Sequence, residues 1–139
     1  MISYSQVKRL AQNILERFQV KAAGPTAAAQ SLSGGNLQKF IVGREISAEP
    51  RALVISQPTW GVDVGAAALI RAELLQLRDA GCAILVVSED LEELFEISDR
   101  IMVMAQGRLS PAVRAVDLSV EQLGQWMSGL WEDAAHAAA

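Results

Sequence analysis

The sequence has almost no cysteine or histidine and no long apolar run. It has one cysteine, Cys82, and one histidine, His136. A single cysteine excludes an internal disulfide, and its place beside an apolar strand fits a small core residue in a reducing setting. No metal site is expected. Although 51% of the residues are hydrophobic, no uninterrupted apolar run approaches the length of about eighteen residues that a membrane-crossing helix needs. No membrane crossing is therefore expected. The N-terminus carries no basic region followed by an apolar stretch and a cleavage site, so a secretion signal is not expected. Basic clusters are missing too. A net charge of −4, pI near 5.0 and scattered Lys and Arg argue against a nucleic-acid surface.

What is there begins with Leu32-Ser33-Gly34-Gly35-Asn36-Leu37-Gln38. A serine followed by two glycines at the head of an apolar-periodic run reads as a helix N-terminus open to phosphate. Ser33 can cap the helix, and Gly34 and Gly35, lacking Cβ, let a large anion approach the first unpaired N–H groups. Those donors and the positive end of the helix dipole make an anion site. Leu37, Phe40, Ile41, Arg44 and Glu45 then fall on alternating faces at helical spacing. An ordinary serine-capped helix fits the seven residues equally well.

The rest alternates between helix and strand. Residues 3–19 place Val7, Leu10, Ala11, Ile14, Leu15 and Phe18 on one face of an amphipathic helix, and residues 20–31, with Gly24 and Pro25, read as a loop. The helix from Ser33 runs to about Ser47. Apolar runs at 52–56 and 83–87 predict buried parallel strands, separated by a helix from Gly65 to Asp79 that stops at Gly81. Asp90 to Glu96 predicts a short acidic helix, 100–105 a third strand, Gln106-Gly107 a turn, and 108–114 a further short strand. Ser119 with Gln122 forms a capping box for a last helix ending near Gly129. One domain is expected over residues 1–131, with a disordered tail over 132–139 that includes His136.

Ala52 to Asp63 joins an apolar strand to a loop, Gln57-Pro58-Thr59-Trp60-Gly61-Val62-Asp63. In order and spacing, these segments resemble the ATP-binding domain of ABC transporters: the signature motif at 32–38, the Walker B strand, and the D-loop ending at Asp63. Ser88-Glu89-Asp90 is similar to the family's switch region, and Asp99 to Met104 to the strand after it. The wording Gly34-Gly35-Asn36-Leu37-Gln38-Lys39 and Pro58 to Ala66 is most similar to the second ATPase domain of fused sugar or nucleoside import ATPases. The resemblance covers roughly residues 3–130. It implies an α/β fold, part of a P-loop NTPase, with parallel strands and flanking helices. No stretch reads Gly-x-x-x-x-Gly-Lys-Ser/Thr, the loop that cradles nucleotide phosphates. The Walker A half is thus missing, and the segment corresponds to the C-terminal half of a domain. By the same resemblance the strand leading into that loop lies between the second and third strands kept here. The chain is therefore expected either to rearrange there or to self-associate.

At its catalytic positions the sequence departs from the family. Where the resemblance implies an aspartate and a glutamate at the end of the Walker B strand, Ser56 and Gln57 stand, and Glu89 stands at the switch histidine. A serine brings no charge to a magnesium shell, a neutral amide is not a competent base, and a carboxylate repels a γ-phosphate. The resemblance then implies a degenerate hydrolytic site whose signature still serves ATP held by a partner domain, Ser33, Gly34 and Gly35 binding its γ-phosphate and Asn36 and Gln38 shaping the neighbouring turn, with Asp63 at the interface. The structural alternatives are that Ser56 and Gln57 are polar strand-end residues, that Glu89 caps the following helix, and that Asp63 caps the helix from Gly65. The family implies ATP with Mg in the parent complex, none tightly bound by this chain alone, a second ATPase domain and membrane permease subunits as partners, and a cytoplasmic place at the inner face of the membrane. A nucleotide-independent interaction or regulatory module, and a truncated fragment without activity of its own, remain open as other classes.

Overall fold

The computed structural model describes residues 3–131. The expected tail at 132–139, including His136, lies outside the described residues. The chain divides into two compact units, one up to Glu89 and one from Asp90 onward.

The first unit holds α1 (Tyr4–Arg17), a 3-10 turn (Ala29–Ser31), α2 (Gly34–Ser47), β1 (Ala52–Ser56), α3 (Val64–Asp79) and β2 (Ala83–Val87). β1 and β2 run parallel, with Leu53 opposite Ile84 and Ile55 opposite Val86. That is the order a helical crossover between two apolar strands requires. Gly81, at φ +98, lets the chain leave α3 and enter β2. Ile14, Phe18, Val42, Ile46, Leu53, Ile55, Ile70 and Leu74 are among the buried core residues. Gly43 stands inside α2 for a steric reason: a Cβ there would lie 2.5 Å from the Phe18 ring. Arg17 donates through Nε to Glu73 Oε1 at 3.0 Å, and its second nitrogen also bonds Glu73. The pair joins the end of α1 to the middle of α3.

Three expectations change in this unit. The predicted stripe of α1 is only partly used: Ile14 and Phe18 are buried, but Val7 and Leu10 are each 49% exposed. In α2 the buried face is Lys39, Val42, Gly43 and Ile46, whereas Leu37 and Phe40 are half-buried and Ile41 is exposed. Packing around Phe18 selects that face, because only the glycine lets the helix approach the ring. The strands are covered on one face only. Leu53 and Ile55 point inward, while Val54 and its register partner Leu85 are exposed.

The second unit contains α4 (Leu91–Ile97), four two-residue strands, a 3-10 turn (Ala115–Asp117) and α5 (Val120–Met127). β3 (Arg100–Ile101) pairs antiparallel with β6 (Val113–Arg114), and β4 (Met104–Ala105) with β5 (Arg108–Leu109). The expected strands at 100–105 and 108–114 are therefore each broken in two. Ser110 is the reason on one side: its buried hydroxyl accepts the Val103 N–H at 2.9 Å, and Pro111 follows it without an N–H to give. Gln106 and Gly107, both at positive φ, close the two-residue hairpin as expected. Ile101, Val103, Leu118, Leu123 and Trp126 form the core of this unit. Asp90 caps α4 by accepting the Glu93 N–H at 3.1 Å, so the cap is Asp90 rather than Glu89. Ser119 caps α5 as expected. Among the described residues no helix is long and apolar enough to cross a membrane.

Candidate functional site

The site is built at the N-terminus of α2. Ser33 is the N-cap, with extended backbone. Its Oγ accepts from Asn36 Nδ2 at 2.9 Å and, at 3.4 Å, from the Asn36 N–H. With its acceptor side engaged by Asn36, the Ser33 hydroxyl has its hydrogen to offer outward. Asn36 Oδ1 in turn accepts the Lys21 N–H at 2.9 Å, which ties the loop after α1 to the cap. Gly34 and Gly35 bring first-turn N–H groups that have no partner four residues back. A side chain on Gly34 would meet nothing within 4 Å.

A cavity of about 330 Å³ opens in front of this turn, lined by Ser33, Gly35 and Asn36 from the cap, Lys21 and Lys39, and Gly61, Val62 and Asp63 from the loop after β1. Lys39 is buried, its Nζ donating to Gln19 O at 2.8 Å, so its charge is held beside the cavity by a fixed partner. Asp63 accepts the Ala66 N–H at 2.9 Å and caps α3. That hydrogen bond, aided by the Lys39 charge and opposed by desolvation, lowers its pKa below the usual aspartate value. Lys21, Lys39 and the helix N-terminus favour an anion here, against the single opposing carboxylate of Asp63.

Gln38 lies one turn further along α2. Its Nε2 donates to Gln57 O at 3.0 Å and to Pro58 O at 3.2 Å. Gln57 takes a left-handed backbone, φ +50, unusual for a residue with a side chain, and its N–H bonds Val87 O at 2.7 Å. The Gln57 Oε1 accepts the Glu89 N–H at 3.5 Å, which is at the outer limit of a hydrogen bond. The positions singled out at the ends of β1 and β2 therefore meet: Ser56 is opposite Val87, and Gln57 faces Glu89 through its backbone. Ser56 and Glu89 are both exposed. As a donor set this end of β1 offers a hydroxyl and an amide but no carboxylate from Ser56 or Gln57. A magnesium ion is usually held by carboxylates, phosphates and water, and Ser56 and Gln57 bring it no charge.

Of the residues expected at the site from the sequence, Ser33, Gly35, Asn36 and Asp63 line this cavity, Gly34 and Gln38 do not, and Lys21, Lys39, Gly61 and Val62 join the lining without having been expected there. The lysines carried no signal, because nothing in their spacing shows that loop and helix meet. Gly61 had one, a glycine two residues before a capping aspartate.

No family model matches the sequence. The chain is 42% identical over 128 residues to the nucleoside import ATP-binding protein NupA of Lactococcus lactis subsp. cremoris, covering 92% of the chain and 25% of that protein. It is 41% identical over 130 residues to the glucose import ATP-binding protein TsgD13 of Haloferax volcanii, covering 92% and 24%. Against the ribose import ATP-binding protein RbsA of Halalkalibacterium halodurans it is 37% identical over 128 residues, covering 92% and 26%. The chain spans about a quarter of the length of the curated relatives it matches. Among solved structures it is similar to an ATP-binding subunit of an ABC transporter, TM-score 0.76 at 18% identity, covering 91% of this chain and 56% of that one. It is also similar to a dimeric ATP-binding cassette in a post-hydrolysis state with ADP and Pi, TM-score 0.72 at 21% identity, covering 83% and 50%. These structural likenesses show an α/β fold shared with about half of a P-loop NTPase cassette.

Proposed function

We propose that this chain, a segment of an ABC transporter ATP-binding domain, lends its Ser33-Gly34-Gly35 turn to the γ-phosphate of ATP held by another domain and contributes little hydrolysis from its own half-site. The segment corresponds to the C-terminal half of the second ATPase domain of an importer for sugars or nucleosides. That reading places it on the cytoplasmic side of the membrane, attached through permease subunits.

The observation that carries the proposal is the cap itself. Asn36 Nδ2 donates to the Ser33 oxygen, which leaves the hydroxyl hydrogen available to an acceptor, and Ser33, Gly35 and Asn36 line a cavity that Lys21 and Lys39 also line. Such a turn stabilises charge that develops on a phosphate by fixed donors rather than by mobile side chains. ATP, when bound by the partner with its magnesium, supplies the phosphoryl group. This chain's residues hold and orient it.

The degenerate half of the proposal rests on the end of β1. The Gln57 amide cannot take a proton from water near neutral pH, and its side-chain oxygen already faces the Glu89 N–H. Glu89, exposed, adds negative charge where a phosphate would need a donor.

The test is ATP hydrolysis coupled to transport in the ATP-binding protein that carries this chain, assembled with its permease. Gly34→Trp should abolish it, whereas Gln57→Ala should leave it near the unsubstituted rate. Equal loss from both overturns the asymmetric reading. Tight ATP binding by the 139-residue chain alone would also overturn it.

A further inference from the structure

The contact between α2 and the loop that follows β1 is made at two points, one turn apart on the helix. At the first, Gly35 approaches so closely that a Cβ would lie 2.6 Å from Gly61 O and 3.7 Å from Val62 Cα. At the second, the Gln38 amide reaches two consecutive carbonyls, those of Gln57 and Pro58. The assignment of that amide is fixed by its partners: both are acceptors, so only the NH2 group can face them. The Gln57 carbonyl also accepts the Trp60 N–H at 3.1 Å, closing the turn, and so has both lone pairs engaged. Pro58 is fully buried and has no N–H of its own. Beyond the turn, Val62 N–H bonds Thr59 O, and Asp63 caps α3.

We propose that Gln38 is a positioning residue that fastens the phosphate-facing turn of α2 to the Gln57–Asp63 loop, so that both walls of the cavity move as one body. The inference rests on the in-trans reading of Ser33 to Gly35 and goes beyond it. Close approach at Gly35 has no direction and lets the loop slide past the helix. The forked bond at Gln38 supplies the direction, because two carbonyls held by one planar amide fix the turn in both translation and tilt. Its loss leaves two half-buried carbonyls short of a donor and releases the wall that carries Gly61, Val62 and Asp63. Gln38 does not touch the phosphate. It acts by holding the loop that shapes its site.

The experiment compares wild type, Gln38→Glu, Gln38→Lys and Ser33→Ala in the assembled ATP-binding protein, measuring kcat and KM for ATP together with amide hydrogen exchange at Trp60 and Val62. Gln38→Glu keeps shape but replaces the donor with an acceptor. It should lower kcat by up to about 10²-fold, the loss typical of a misplaced site, with KM nearly unchanged, because the nucleotide is bound chiefly by the partner's phosphate loop. Exchange at Trp60 and Val62 should accelerate. Gln38→Lys, which restores a donor on a slightly longer chain, should recover slow exchange and most of kcat. Unchanged exchange in Gln38→Glu, or a lysine variant no better than the glutamate variant, overturns the proposal. If Ser33→Ala leaves kcat at the wild-type value, the in-trans reading fails, and the exchange readout still decides the role of Gln38. Should Gln38→Glu fail to fold, Gln38→Ala takes its place with the same readouts and the same criteria.

Discussion

Gly35 and Gly61 meet backbone to backbone: no side chain fits between the first turn of α2 and the Gly61 carbonyl, which would stand 2.6 Å from a Cβ on Gly35. The neighbouring Gly34 faces open space. Two adjacent glycines in one motif thus answer to different demands, packing for Gly35 and access for Gly34.

Gly34→Ala should therefore leave the thermal unfolding midpoint at or slightly above wild type, since a compatible Gly→Ala change stabilises by about 0.5 kcal/mol through the unfolded chain. Gly35→Ala should cost about 2 kcal/mol, the scale of a forced overpacking. Denaturant unfolding of the two variants side by side checks the contrast, and equal stabilities would refute it.

Gly43→Ala presses a methyl into the buried Phe18 ring. A loss of about 2 kcal/mol is expected despite the better helix propensity of alanine, because the ring is enclosed and cannot swing away. Combining it with Phe18→Leu, which removes the ring, should recover part of that loss. The measurement is a double-mutant cycle by chemical denaturation.

Arg17 and Glu73 form a forked ion pair in which the carboxylate is buried and the guanidinium half-exposed. The Glu73 bond and charge raise the Arg17 pKa above its ordinary value. Arg17→Ala should destabilise the first unit by about 2 kcal/mol, in the range for hydrogen bonds to charged groups, chiefly by stranding Glu73. Arg17→Ala with Glu73→Leu should be more stable than Arg17→Ala alone, as judged by the midpoint of urea unfolding.

Asp63 has a depressed folded-state pKa because its carboxylate accepts the Ala66 N–H at the start of α3. A carboxyl with a lower pKa folded than unfolded contributes stability that is present above the unfolded value, about 3.9, and lost as pH falls through the folded one. Asp63→Asn keeps a capping oxygen but removes the charge, so it should flatten the acid limb of the stability curve while changing little near neutrality. An unchanged acid limb would show that the charge is idle.

Val54 and Leu85 pair across the parallel strands on the uncovered face. An exposed apolar pair beside an open strand edge favours association between chains. Sedimentation velocity should find the isolated chain self-associating, and Val54→Lys with Leu85→Lys should shift it toward monomer. A monomeric wild type would count against the expectation.

The sequence alone determined what is local. Ser33, Asp63 and Ser119 each cap a helix through an N–H three residues on, Gly81 ends α3, and Gln106-Gly107 closes a hairpin, because these interactions span a few residues and leave their pattern in the order of side chains. The motif order was legible for the same reason. Tertiary structure decided the rest. That Glu73 holds Arg17, that Gly43 admits Phe18, that Lys21 and Lys39 flank the cavity, and that Gln38 bonds the Gln57 and Pro58 carbonyls all depend on which surfaces meet across fifteen or more residues of chain. Apolar strands at 52–56 and 83–87 read as buried on both faces. Whether a face is covered depends on what packs against it, and in this fold helices cover only the side of Leu53 and Ile55.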